Sequence, residues 1–177
     1  MTMMSSKIFA YKSFFPEIDD TAFIADNCVI IGDVKIGKNS SIWFNSVIRG
    51  DVCLVRIGNN TNIQDGSVVH TSRFNGPAHI GDNITIGHRA MIHACTIKDY
   101  AFIGMSATVL DDAVVEEYGF VAAGAVVTPG KIVGSKELWA GVPARLIRTL
   151  TDNDLFQMQD NCEAYVKLAR EYMTDKY

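Results

Sequence analysis

Aliphatic residues recur every sixth position along most of the chain. They occupy positions 24 to 48, 57 to 69 and 80 to 92 in steps of six, and from Ile97 the same step continues to Trp139. The pattern has 19 positions, 18 of them aliphatic and the last one Trp139, and three short slips of phase interrupt it. Because six is even, the marked side chains all face the same side of a strand. This periodicity predicts a solenoid of short strands in which each coil buries its face against the next.

Glycine often follows the aliphatic residue, as at Gly37, Gly58 and Gly104, and we expect it at corners that need unusual backbone angles.

The repeat resembles that of the hexapeptide-repeat family. That resemblance implies a left-handed parallel β-helix of triangular cross-section, with three hexads in each coil. We therefore expect a mainly β fold of about six triangular coils. The β-helix is assigned to residues 1–150, with a lead-in over residues 1–23.

The hydrophobic period changes after the segment Leu138–Arg148, which resembles the exit from the repeat in this superfamily. Thr151 and Asp154 have the spacing of a helix-capping pair. Apolar side chains then recur at three- and four-residue intervals: Leu155, Met158, Cys162, Tyr165, Leu168 and Tyr172. This spacing predicts one amphipathic helix over about residues 152–174. Residues 151–177 are therefore expected to form a C-terminal helix that braces the prism or a trimer.

The composition agrees with a β-rich fold and excludes several classes of protein. The chain has 177 residues, with 18 Ile and 16 Val but only 7 Leu, which favours sheets over a helical bundle. A net charge of −4 argues against a nucleic-acid-binding protein. No apolar run is long enough to span a membrane, and the N-terminus lacks a signal pattern. The four cysteines form no C-x-x-C motif, so we expect a reducing, cytoplasmic location.

Two of the four histidines share one position in the repeat. His70 follows Val69 and His93 follows Ile92, and three hexads separate them. One coil therefore stacks His93 on His70, at about the 4.8 Å spacing of neighbouring strands. Arg49 has the same position one coil before His70, and Asp51 is two residues further along.

The third histidine falls at a different corner of the coil. His88 lies one hexad before His93, and Gln64 and Asp65 share its corner one coil earlier. A wall of six extended residues spans roughly 20 Å, far more than the length of a zinc–nitrogen bond. A three-fold assembly would instead bring two histidines of one chain to one histidine of the next. The fourth, His79, belongs to the five-residue insertion around residues 72–78, has no partner in the repeat, and is expected to be an exposed loop residue.

The segments that carry these histidines are similar to those of the γ-class carbonic anhydrases. They read RGD at 49–51, NIQDGSVVH at 62–70 and TIGHRAMIH at 85–93. The resemblance implies a homotrimer with a metal held between subunits by His70, His88 and His93. Three neutral imidazoles with an open fourth position lower the pKa of bound water to about 7. The implied reaction is the reversible hydration of CO2 to bicarbonate by metal-bound hydroxide, with Zn, or alternatively Fe or Co, as the metal.

The same resemblance suggests roles for other side chains near the histidines. Gln64 would orient the solvent, and Asp65 would accept a hydrogen bond beside it. Arg49 and Asp51 would pair across the trimer interface, although a purely structural ion pair explains these two residues equally well. Tyr165 on the last helix would approach the site.

The chain departs from the best-characterised members in two places. Directly after the R-x-D motif, those members have an acidic residue that relays protons, whereas this chain has Val52. The loop Thr71–Ala78 is also shorter than theirs and has no carboxylate. These departures predict weak activity. Two alternatives stay open, namely a hexapeptide-repeat acyltransferase that uses acyl-CoA and a non-enzymatic metal-binding or assembly protein.

Overall fold

The structure, a computed structural model, describes residues 7–175, which fold into short strands and one long helix. The strands in chain order are β1 Lys7–Phe9, β2 Glu17–Ile18, β3 Phe23–Ile24, β4 Val29–Ile36, β5 Ser41–Ile42, β6 Val47–Ile57, β7 Asn62–Ile63, β8 Val68–His70, β9 Ala78–Ile80, β10 Thr85–Ile86, β11 Met91–His93, β12 Thr96–Ile97, β13 Phe102–Ile103, β14 Thr108–Val109, β15 Val114–Val115, β16 Phe120–Val121, β17 Val126–Val127, β18 Ile132–Val133, β19 Glu137–Ala140 and β20 Arg145–Thr149. The helix α1 covers Asp152–Asp175.

Parallel pairing between successive coils arranges these strands in three walls. Wall A contains β1, the first halves of β4 and β6, and then β8, β11, β14 and β17. Wall B contains β2, the second halves of β4 and β6, and then β9, β12, β15 and β18. Wall C contains β3, β5, β7, β10, β13, β16 and β19, and the antiparallel strand β20 ends it. The predicted mainly β, parallel solenoid followed by a single helix is confirmed.

The solenoid has about seven turns, one more than the hexad count predicts. The extra turn comes from the predicted lead-in, because β1 pairs with the start of β4 and β2 pairs with its end. This first coil lies outside most of the six-residue pattern, so the aliphatic positions do not reveal it. The division of the chain into two units near residue 150 stays a prediction.

The aliphatic positions of the repeat form the interior. Every marked side chain from Ile30 to Val133 is at most 4% exposed. Burying one such side chain stabilises the fold by about 1.5–3 kcal/mol, so the repeated positions supply the main driving force for coiling. The structure therefore places the core along the axis between the three walls.

The glycines at the second hexad position serve a different purpose from the predicted one. Gly104 does not have a left-handed backbone, but a Cβ there would lie 2.4 Å from the backbone nitrogen of Ala123 in the next coil. The left-handed residues occur at the fourth hexad position instead, as at Asn39 and Asn60, with φ of 54° and 52°. The expectation of unusual angles at these glycines was thus wrong, and close coil stacking is what requires them.

Helix α1 packs on wall C and contacts β3, β5, β7 and β10. It begins at a reciprocal cap, in which Asp154 N donates to Thr151 Oγ1 at 3.2 Å and Thr151 N donates to Asp154 Oδ2 at 2.7 Å. The ring of Trp43 meets the edges of Tyr165 and Tyr172 at centroid distances of 5.4 and 5.3 Å. Within residues 7–175, no helix combines the length and the apolar character needed to cross a membrane.

Candidate metal centre

The corner between walls A and B, called the AB corner, carries the first two histidines. His70 ends β8 and His93 ends β11, and the two residues pair directly in the parallel ladder, with Arg49 opposite His70 in β6. His70 Nδ1 lies 3.2 Å from His93 Nε2. Two nitrogens that bind one tetrahedral zinc at about 2.1 Å lie roughly 3.4 Å apart. The spacing of these two ring nitrogens therefore suits a shared metal ion.

A carboxylate faces the other ring nitrogen of each histidine at this corner. His70 Nε2 lies 3.2 Å from Asp51 Oδ1, and His93 Nδ1 lies 2.5 Å from Asp111 Oδ1. Asp51 also accepts a hydrogen bond from Arg49 Nη1 at 2.7 Å. Histidine ligands commonly donate their second N–H to a carboxylate, which fixes the tautomer and the ring orientation. This arrangement leaves Nδ1 of His70 and Nε2 of His93 as the ring nitrogens that could bind a metal ion.

The electrostatics of the AB corner favour a neutral His70. Burial and the nearby charge of Arg49 lower the pKa of His70, against the opposing effect of Asp51. Although burial works in the other direction, the hydrogen bond and charge of Arg49 keep the pKa of Asp51 below its ordinary value. A neutral imidazole beside an ionised carboxylate is the form that binds metal.

The third histidine lies at the corner between walls C and A, called the CA corner. His88 follows β10 and Asp65 follows β7, the strand one coil earlier. His88 Nδ1 lies 2.8 Å from Asp65 Oδ2, so a carboxylate again orients the ring and leaves Nε2 available. Gln64 is only 5% exposed, and its amide Nε2 donates to Asn62 Oδ1 at 3.0 Å.

Tyr165 reaches the CA corner from helix α1. A cavity of about 290 Å³ lies between this helix and wall C, and its lining includes Gln64, His88 and Tyr165. The stacked rings of Phe102 and Phe120, with centroids 4.7 Å apart, form its apolar side. Burial, with a smaller effect of the charge of Asp65, raises the pKa of Tyr165, which keeps the hydroxyl protonated.

The two corners remain separate in one chain. Among the residues from 7 to 175, no group of three His, Cys, Asp or Glu side chains converges on one point that could hold a metal ion. The structure thus brings together Arg49, Asp51, His70 and His93 at one corner. It brings together Gln64, Asp65, His88 and Tyr165 at the other.

Two residues near these sites differ from the sequence-based expectations. His79 is exposed as expected, but it lies in strand β9 and pairs with Thr96, so its placement in a loop was wrong. Asp111 was missed, although Val109 is the aliphatic position one coil after Ile92, and Asp111 follows it by two. The position of Val109 in the repeat places Asp111 near His93, but only the folded corner shows that the two side chains meet.

Comparisons with known proteins show which family this chain belongs to. The family profile described as "Bacterial transferase hexapeptide (six repeats)" matches residues 15–50. A protein of Geobacillus kaustophilus named carbonic anhydrase is 44% identical over 165 residues, which cover 93% of this chain and 90% of that protein. Gamma carbonic anhydrase 1, mitochondrial, of Arabidopsis thaliana is 47% identical over 165 residues, which cover 90% of this chain. The chain belongs to the γ-class carbonic anhydrase family.

Some relatives are longer than this chain, and proteins named as transferases share its fold. The chain spans 60% of the length of the Arabidopsis protein. A crystal structure of a hexapeptide transferase family protein from Anaplasma phagocytophilum matches with a TM-score of 0.90 and 49% identity, over 94% of this chain and 98% of that one. The γ-class family therefore shares its solenoid with proteins named as transferases, and the fold alone does not decide the reaction.

Proposed function

We propose that this protein is a metal-dependent carbonic anhydrase that hydrates CO2 reversibly to bicarbonate. The observation that carries the proposal is the 3.2 Å separation of His70 Nδ1 and His93 Nε2, with a carboxylate on the outer nitrogen of each ring. Imidazole ligands suit Zn, and also Fe or Co. We propose Zn as the resident metal because three neutral nitrogens and one open position are typical of catalytic zinc sites.

The metal would be completed by His88 of a neighbouring chain in a homotrimer. The separation of the two corners within one chain supports this arrangement, because neither corner alone offers three histidines. A contact between the AB corner of one subunit and the CA corner of the next closes after three copies and creates three equivalent sites. In one chain Arg49 and Asp51 bond to each other, and we propose that this pair also fixes the register of the subunit contact.

The side chains around the histidines would prepare the site for CO2. A bound zinc would supply Lewis acidity, which lowers the pKa of a water molecule so that it can lose a proton near neutral pH and become nucleophilic towards CO2. Asp51 and Asp65 hold His70 and His88 in the ligand tautomer. The buried amide of Gln64, fixed by Asn62, would orient the attacking solvent. The protonated hydroxyl of Tyr165 would donate a hydrogen bond at the same corner.

Proton release limits the rate that we expect. Hydration of CO2 at neutral pH yields bicarbonate and one proton, and the proton must leave the site before the next turnover. The position expected to hold an acidic relay is Val52, which is 45% exposed and cannot titrate. We therefore propose slow turnover that rises with the concentration of an external buffer.

Stopped-flow measurement of CO2 hydration by the metal-replete protein tests this proposal. We expect about one metal ion per chain and a rate above the buffer blank, and we expect His93→Ala to lose both. His79→Ala is the matched control, because it removes an exposed histidine from β9 and should leave both values unchanged. Wild-type trimers that bind no metal ion, or trimers that bind metal but do not hydrate CO2, would overturn the proposal.

Two other functions fit the same solenoid, and the same preparations separate them. An acyltransferase would turn over acyl-CoA without requiring metal, whereas a binding or assembly protein would hold metal without hydrating CO2.

All four cysteines are free thiols, which supports a reducing, cytoplasmic location as part of the proposal. The Arabidopsis relative named above is described as mitochondrial.

A further inference from the structure

Asp111 connects two features of the AB corner through its two carboxylate oxygens. Its Oδ1 lies 2.5 Å from Nδ1 of His93, and its Oδ2 accepts a hydrogen bond from Asn75 Nδ2 at 3.2 Å. Asp111 follows β14, the strand that pairs with β11 one coil earlier. One carboxylate thus contacts both a histidine ring and the loop that follows His70.

The loop over Ser72–Gly76 is closed on itself at this carboxylate. Ser72 N donates to Gly76 O at 3.0 Å, and Gly76 N donates to Ser72 O at 2.9 Å. The Ser72 hydroxyl oxygen accepts hydrogen bonds from Phe74 N at 3.3 Å and Asn75 N at 3.2 Å. Asn75 of this closed loop then donates its side-chain N–H to Asp111. The Asp111 carboxylate is therefore the point where the loop attaches to the solenoid.

This geometry constrains the orientation of His93. The His93 ring turns about two torsions, and a hydrogen bond at Nδ1 selects the rotation in which Nε2 faces His70. The Asp111 carboxylate is held in turn by Asn75, so the loop limits its rotation. Asp111 is half-buried and lies outside the apolar core. Its side chain contacts His93 and Asn75.

We propose that Asp111 is a positioning residue that acts through His93 and couples the Ser72–Gly76 loop to the metal corner. The proposal rests on the proposed function, in which His93 is a metal ligand. In this role Asp111 fixes the Nδ1–H tautomer of His93, presents Nε2 to the metal, and transmits the position of the loop to the ring. A purely structural carboxylate would support the loop without setting the tautomer.

The Asp111→Asn variant distinguishes these two roles. It keeps the shape of the side chain but replaces the carboxylate with a neutral amide, whose single oxygen is a weaker acceptor for His93 Nδ1 than the charged group. Asp112→Asn is the matched control, because it removes the same charge from the neighbouring exposed residue. The double variant Asp111→Asn with Asn75→Asp reverses donor and acceptor between the two positions and frees the remaining amide oxygen for His93.

Metal affinity is the first measurement. Titration of metal-free trimers with Zn²⁺ or Co²⁺ should show affinity about 10–100-fold weaker for Asp111→Asn, partial recovery in the double variant and no change for Asp112→Asn. The visible spectrum of the Co²⁺ form should change in Asp111→Asn. Equal affinity and an unchanged spectrum in wild type and Asp111→Asn would overturn the positioning role.

The ring nitrogens of His93 give a second measurement that needs no metal. With only four histidines in the chain, ¹⁵N-histidine NMR of the metal-free protein resolves the tautomer of each ring. We expect the Nδ1–H form of His93 in wild type and Asp112→Asn, and a mixture of tautomers in Asp111→Asn. A wild type that binds no metal would refute the proposed function, whereas an unchanged His93 tautomer in Asp111→Asn would refute this inference alone.

Discussion

Nδ1 of His70 and Nε2 of His93 lie 3.2 Å apart on successive coils, while His88 occupies another corner of the same prism. A metal site built from these three residues needs two chains. We therefore expect His88→Ala trimers and trimers of the His70→Ala/His93→Ala variant each to bind no metal. When the two variants are mixed at equal amounts and reassembled at random, about three quarters of the trimers contain both. Each mixed trimer has one intact interface out of three, so about one quarter of all metal sites should be restored.

Metal content of the reassembled trimers, measured after gel filtration, checks this prediction. Reassembly of each variant with itself is the control and should restore nothing. Mixed trimers that form but still bind no metal would contradict a site shared between subunits.

The interior of the solenoid should be far more sensitive to truncation than its outer face. Ile103 is fully buried in β13, whereas Ile132 in β18 is 56% exposed. We expect Ile103→Ala to lower the free energy of unfolding by about 2–5 kcal/mol and Ile132→Ala by less than about 1 kcal/mol. Urea denaturation at a fixed protein concentration measures both, and similar losses at the two positions would contradict the assignment of the core.

Two glycines should respond differently to alanine. A Cβ at Gly104 would lie 2.4 Å from the backbone of the next coil, while Gly124 has nothing within 4 Å and a φ of +68°. We expect Gly104→Ala to force the coils apart and to give little soluble protein. Gly124→Ala should fold with only a modest loss of stability, about 1 kcal/mol, from the left-handed backbone. Soluble yield and melting temperature distinguish the two variants, and a stable Gly104→Ala protein would contradict the close-stacking explanation.

The Asp154 carboxylate at the start of helix α1 should make the stability of the protein depend on pH. Hydrogen bonds from Arg148 and then Thr151 hold the pKa of Asp154 well below its ordinary value. A carboxyl with a lowered folded-state pKa contributes stability above its unfolded value of about 3.9, and this contribution is lost as the pH falls through the folded value. The melting-temperature difference between wild type and Asp154→Asn should thus be largest near pH 7 and shrink below about pH 4.

Asp152→Asn is the control for this measurement. It removes the same charge from the first helical turn and leaves the bonds between Thr151 and Asp154 in place. A difference between wild type and Asp154→Asn that stays constant from pH 7 to pH 3 would contradict the role of the ionised cap.

Much of the candidate site follows from the six-residue period. A parallel solenoid aligns equivalent hexad positions on successive coils, so the spacing of Arg49, His70 and His93 predicts their register, as the structure shows. The same count separates His88 from them by one corner. The lead-in strands β1 and β2 were not predicted, because their residues lie outside most of the repeat and are fixed only by pairing with β4.

The sequence by itself determined the solenoid, its interior and the corners of His70, His88 and His93, because these depend on a backbone period that extends along the chain. The tertiary structure decided which side chains meet. It placed the Asp111 carboxylate against the His93 ring and Gly104 against the backbone of the next coil. Such contacts depend on rotamers and on the distance between neighbouring coils to tenths of an ångström, and residue spacing carries no information at that scale.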